Sequence, residues 1–167
     1  QILVKSGLLP GGVGLIQGAS LIINDSNKFE DRWVYLRPQG HKATRPQANC
    51  VWTNGLPEVI YLPVAHGEGK FITLDRKTLE ALKKNRQITF QYCDSEGKLS
   101  GYPDNPNGSE ENIAGISDKS GRILGMMPHP ERHIQSLQHP RHAGKNSREG
   151  DGMLIFRNGV TYVRKYL

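Results

Sequence analysis

At 167 residues the sequence has the size of one domain able to bury a core, and 36% apolar and 7% aromatic residues with 19 glycines and 10 prolines describe a loop-rich globular chain, not a disordered one. The formal net charge of +6 is spread along the chain without basic tracts interleaved with aromatics, which argues against nucleic acid and leaves a solvated basic surface, or a positive mouth that recruits a phosphorylated substrate or an acidic protein. Two distant cysteines, Cys50 and Cys93, exclude a disulfide framework or zinc cluster and make a reducing cytoplasm the default, while no apolar run reaches the ~18 residues of a membrane span and no leader is recognisable.

Residues 1–11, QILVKSGLLPG, read as a short helix stopped at Gly7 with Pro10 just beyond. It lacks an N-cap and an initiating Met, so the sequence is expected to be the downstream part of something longer. Residues 19–23 and 33–36 are short apolar, partly β-branched or aromatic runs and predict strands on either side of the polar segment 24–28. A loop covers 37–48, and Cys50-Val51-Trp52 precedes the turn dipeptide Asn54-Gly55. The run 59–65 predicts a strand buried on both faces, ending at His66-Gly67-Glu68-Gly69 before Phe71-Ile72-Thr73 resumes.

An amphipathic helix is predicted over 78–85, with Leu79 and Leu82 inward and Thr78 as its cap. Residues 88–93 alternate as a strand, and 102–109 (YPDNPNGS) form a loop ordered by its prolines. Residues 113–117 and 122–127 predict a hairpin around Ser120-Gly121. A helix is expected after Pro130, then a polar loop over 139–150. The expected last element is a second hairpin, 153–156 with 160–163, turned at Asn158-Gly159.

The candidate chemistry sits in ILGMMPHPERHIQ, where an apolar run stops at Pro128. Pro130 suits the first position of a helix, which puts His129 at the N-cap and Glu131 in the first turn. A carboxylate there can hold one imidazole nitrogen and leave the other free as a general base. The plain alternative is a surface helix cap. A metal site combining His129, His133 and His66 or Glu131 is a further alternative, weakened because the N-cap position turns His129 away from His133. No nucleophile is evident: neither Cys50 nor Cys93 lies in a Gly-x-Cys-x-Gly elbow, and both read as buried structural thiols.

Five stretches in order, QILVKSGLLPG, ASLIINDSNKFEDRWVYL, LPVAHGEGKF, YPDNPNGSEENIAGI and LGMMPHPERH, resemble the glutaminase subunits of phosphoribosylformylglycinamidine synthase, within the class I glutamine amidotransferases. The resemblance covers nearly the whole sequence. It implies an α/β fold of the flavodoxin-like kind, a mostly parallel sheet flanked by helices, of which this single domain is the C-terminal portion. It implies a cysteine nucleophile preceding Gln1 in a Cys-x-Gly-x-Gln elbow, with His129 as base and Glu131 as its orienting carboxylate. The implied glutamine pocket draws on Gln1, Asn24, Ser26 and Phe29, with His66 and Glu68 near the site. Ammonia released from glutamine would pass to an ATP- and magnesium-using synthetase subunit, with a small third subunit possible in the complex and no cofactor or metal in this chain. The segment 139–149 would be a loop facing the synthetase. Without the cysteine, the chain is expected to be inactive alone; the alternative is a truncated chain that only binds its partner.

Overall fold

The structure, a computed structural model, describes residues 1–11, 17–39, 50–141 and 149–166. Its larger sheet is built around β2 (Glu30–Pro38). β3 (Ile60–His66) and β5 (Ile88–Cys93) flank β2, and β6 (Ile113–Ser117) and β7 (Leu124–Met126) continue the order β3-β2-β5-β6-β7. A separate ribbon pairs β1 (Ala19–Ile22) with β4 (Lys70–Thr73). The register sets Val34 against Leu62 and Leu36 against both Ile60 and Tyr92, so one face of the sheet is continuous apolar core. A second cluster, including Val4, Leu9, Phe71, Leu79 and Ile116, gathers α1 (Ile2–Lys5) and α2 (Arg76–Lys84) around the ribbon.

The parallel sheet expected from the resemblance is not found among the described residues: every pairing is antiparallel. Parallel neighbours need a crossover of a dozen or more residues, usually a helix. Here α2 joins strands of different sheets, and β6 turns into β7 through a short loop at Ser120-Gly121, with Gly121 at φ +70.

The C-terminal hairpin is also corrected. Residues 153–166 form one helix, α3 (Met153–Tyr166). Asn158 and Gly159 do not turn the chain; they seat the helix. The Asn158 amide donates to the carbonyls of Trp52 and Asn54, and a Cβ at Gly159 would stand 2.5 Å from the Trp52 ring. The cap of α2 is Asp75, whose carboxylate accepts from the Thr78 N–H, so Thr78 lies inside the helix. The helix after Pro130 is a single 3-10 turn, Pro130–His133. Most of the expected loop 37–48, and the middle of the polar loop 139–150, lie outside the described residues.

Candidate active site

β3 stands at one end of the sheet order, so its outer side would present unpaired backbone groups. They are closed by the turn that carries the candidate base. The His129 N–H donates to the Pro63 carbonyl at 2.9 Å, and the His133 ring meets the Tyr61 carbonyl at 2.8 Å. The Tyr61 N–H donates to the Asp151 carboxylate at 2.8 Å, while Pro63 has no N–H to satisfy. A proline in the middle of a strand is therefore tolerated here.

His129 is the N-cap of the turn, with Pro130 at its first position as the sequence predicts. Its Nδ1 lies 2.7 Å from Glu131 Oε1. A carboxylate can only accept, so Nδ1 carries the proton and the Nε2 lone pair is left available. The pair stands at the rim of a cavity of about 450 Å³, whose walls include Leu9, Phe71, Met126 and Phe156 and whose polar rim includes Gln1, His129 and Glu131. An apolar cleft with a few convergent polar groups at its mouth is the usual form of a small-molecule site.

The other residues drawn from the resemblance divide into two groups. Gln1 and Glu68 are exposed and joined, the Gln1 amide donating to Glu68 Oε2 at 3.0 Å. Ser26 donates to Glu30, itself paired with Arg32, and Phe29 is 66% exposed beside Gly67. Asn24 and His66, by contrast, are 1% and 6% exposed. Asn24 donates to the carbonyls of Lys28 and His66 and accepts from the Gly69 N–H and from His66 Nδ1. They brace the loop ends behind the cavity rim.

That bracing network includes residues the sequence did not single out. Asn107 donates to the Gly69 carbonyl and approaches the Tyr92 hydroxyl and His66 Nε2, while its own oxygen accepts from Ser109. These partners fix His66 as the neutral Nδ1–H tautomer: Nδ1 faces an acceptor and Nε2 faces an amide donor. Burial lowers the His66 pKa below its ordinary value. The only available signal was the Asn-Pro-Asn-Gly cluster, which predicts an ordered loop but not its partners. Asp151 was missed, and His133 was weighed only as a metal ligand, for a similar reason, both being joined through Tyr61, 90 and 72 residues away.

Neither cysteine belongs to this site. Cys93 is fully buried in β5, and burial pushes the Cys50 thiol up to about 11. Among the described residues no three His, Cys, Asp or Glu side chains converge on a common point, and no helix is long and apolar enough to cross a membrane. His129 and His133 take different partners, one the Glu131 carboxylate and one the Tyr61 carbonyl on β3.

Comparison with known proteins places this geometry in context. Residues 1–163 match the model of the CobB/CobQ-like glutamine amidotransferase domain. A phosphoribosylformylglycinamidine synthase subunit PurQ from Dehalococcoides mccartyi is 44% identical over 167 residues, which covers 99% of this chain and 61% of that protein. The subunit PurQ of Methanococcus maripaludis is 42% identical over 160 residues, covering 88% of this chain and 56% of that one. The structure of PurLQS from Thermotoga maritima contains a similar chain at TM-score 0.64 and 27% identity, covering 98% of this chain and 57% of its own. The chain thus spans about three fifths of the length of the relatives it matches. With the His129–Glu131 pair set at the mouth of a cavity and the match running through almost its whole length, the chain belongs to the family of CobB/CobQ-like glutamine amidotransferase domains.

Proposed function

We propose that the chain is the C-terminal portion of the glutaminase subunit of phosphoribosylformylglycinamidine synthase, releasing ammonia from glutamine for the amidation of formylglycinamide ribonucleotide in purine biosynthesis. The observation that carries the reading is the 2.7 Å contact between His129 Nδ1 and Glu131 at the cavity rim, in a sequence 44% identical to a PurQ subunit. The nucleophile is a cysteine outside this sequence, since both of its own thiols are buried. Gln1, Ser26, Phe29 and Glu68 edge the glutamine site, with Asn24 and His66 bracing it.

In this reading His129 Nε2 takes the thiol proton as sulfur attacks the side-chain amide carbon. The amide carbonyl becomes an oxyanion, held by backbone N–H groups near the elbow. When it collapses, the C–N bond breaks and the imidazolium gives its proton to the leaving nitrogen, which departs as ammonia. His129 then deprotonates the water that attacks the thioester, releasing glutamate and restoring the thiol. Glu131 holds the ring in the competent tautomer throughout. Ammonia passes to a synthetase subunit that uses ATP and magnesium, with a small third subunit in the assembly, a composition supported by the likeness to a chain of PurLQS. The setting is the cytoplasm, and this portion needs no cofactor of its own.

The test is made in the intact subunit with its synthetase. His129→Ala abolishes glutamine-dependent synthesis while synthesis from added ammonium salt continues. Equal loss of both activities, or undiminished glutamate release, would overturn the reading.

A further inference from the structure

We infer that His133, gripped by the strap Gly150-Asp151-Gly152, is a positioning residue for His129. The inference rests on the glutaminase reading above and adds a residue that acts through the turn, not on the substrate. His133 is 2% exposed, and its Nδ1 lies 2.8 Å from the Tyr61 carbonyl and 3.4 Å from the Asp151 N–H. The nearer partner decides the tautomer: a lone pair facing a carbonyl at that distance would be repelled, so Nδ1 donates to Tyr61.

The turn is thus fastened to β3 at two alternate residues. At one end the His129 N–H donates to Pro63; at the other, the His133 ring donates to Tyr61. The strap closes over the second fastening. The Asp151 carboxylate takes the Tyr61 N–H, the Gly152 N–H donates to the His133 carbonyl at 2.8 Å, and the Gly150 N–H donates to the Ile134 carbonyl at 3.0 Å. Both glycines are required by contact: a Cβ at Gly150 would meet the His133 carbonyl oxygen at 2.4 Å, and one at Gly152 the Pro130 oxygen at 2.1 Å. The Trp33 and His133 rings pack in a T-shaped arrangement, with centroids 5.0 Å apart. With the ring removed, the His129 N–H is the remaining direct tie of the turn to β3 and its far end is joined to the strand only through the strap, and a shift of about 1 Å in a reacting group costs on the order of a hundredfold in rate.

The experiment compares His133→Ala, His133→Asn and His133→Gln in the intact glutaminase subunit bound to its synthetase. An Asn amide reaches the position of Nδ1, whereas a Gln amide reaches that of Nε2. Glutaminase kcat falls roughly ten- to a hundredfold in the Ala and Gln variants, with KM within about twofold, and stays within about threefold of wild type in the Asn variant. Ammonia-dependent synthesis is unchanged in all three. Wild-type kcat in a folded Ala or Gln variant overturns the role, as does an Asn variant as impaired as Gln or unable to fold. If Ala does not fold, the Asn and Gln pair decides. His129→Ala, run alongside, separates the two claims: if it keeps glutaminase activity, the function itself is wrong, whatever His133 does.

Discussion

His129 is held through its backbone by Pro63 and through its ring by Glu131, and only the second contact bears on which nitrogen is free. Glu131→Gln keeps a side chain of the same shape but presents the ring with an amide that can also donate. On the mechanism proposed above, the intact subunit's glutaminase rate is expected to fall less than with His129→Ala, because there the carboxylate orients the base and does not itself carry the proton. Parallel measurement of kcat for the two variants checks the order. The cysteines give a second prediction. Cys50 and Cys93 are buried, so neither reacts with iodoacetamide at pH 7.5 in the folded chain, and both react in guanidinium; labelling of either in native protein would contradict the placement. The His129–Glu131 contact was legible in the sequence because its parts lie within three residues and Pro130 dictates the cap. Asn24 and His66 were named from the resemblance, but their bracing contacts were not legible, because their partners arrive from strands and loops more than 40 residues away.

At the scale of elements, the core strands followed from apolar runs bounded by turn residues, while β3 is fully buried on the face of Ile60, Leu62, Val64 and His66 and half-buried at Tyr61 and Ala65 on the other. The sequence erred where a local signal had two physical causes. Asn-Gly is a hairpin signal, but small residues also allow close packing, and at 158–159 the second cause wins: Ile155 and Gly159 face the core while Val160 and Val163 lie outward on the same helix. Gly159→Ala tests this. Propensity alone would stabilise α3 by about 1 kcal/mol. The new Cβ must displace the Trp52 ring, and the net effect is expected to be a loss of roughly 1–3 kcal/mol, the usual range for overpacking. Urea unfolding of the two proteins measures it, and a stabilised variant would refute the packing account.

Across the whole molecule, the buried polar network couples stability to pH. The His66 pKa is lowered in the fold, so the unfolded chain binds the extra proton more readily; stability is full above the ordinary value of 6.5 and declines as pH falls through it. Protonation would set an Nε2–H against the Asn107 amide, two donors face to face. The urea midpoint should therefore drop between pH 7.5 and 5.5, and drop less in His66→Leu measured against its own neutral value. At the alkaline end the sign reverses. The Cys50 thiol, raised from 9.0 to about 11, withdraws stability as pH climbs above about 9, and the Tyr92 phenol, raised by full burial from its ordinary 10.0, does so above about 10, because the unfolded chain loses their protons first. A Cys50→Ala variant should show a shallower decline between pH 9 and 11.

The fastening of the His129 turn along β3 has a consequence for protein quality as well as for chemistry. That turn is also the cover over an open strand edge, and an uncovered edge with free carbonyls at Tyr61 and Pro63 is a template for pairing with another chain. Damage at the second fastening would then be self-reporting in a cell: slow enzyme and insoluble enzyme would arise from one event, the peeling of a four-residue turn from the strand beneath it.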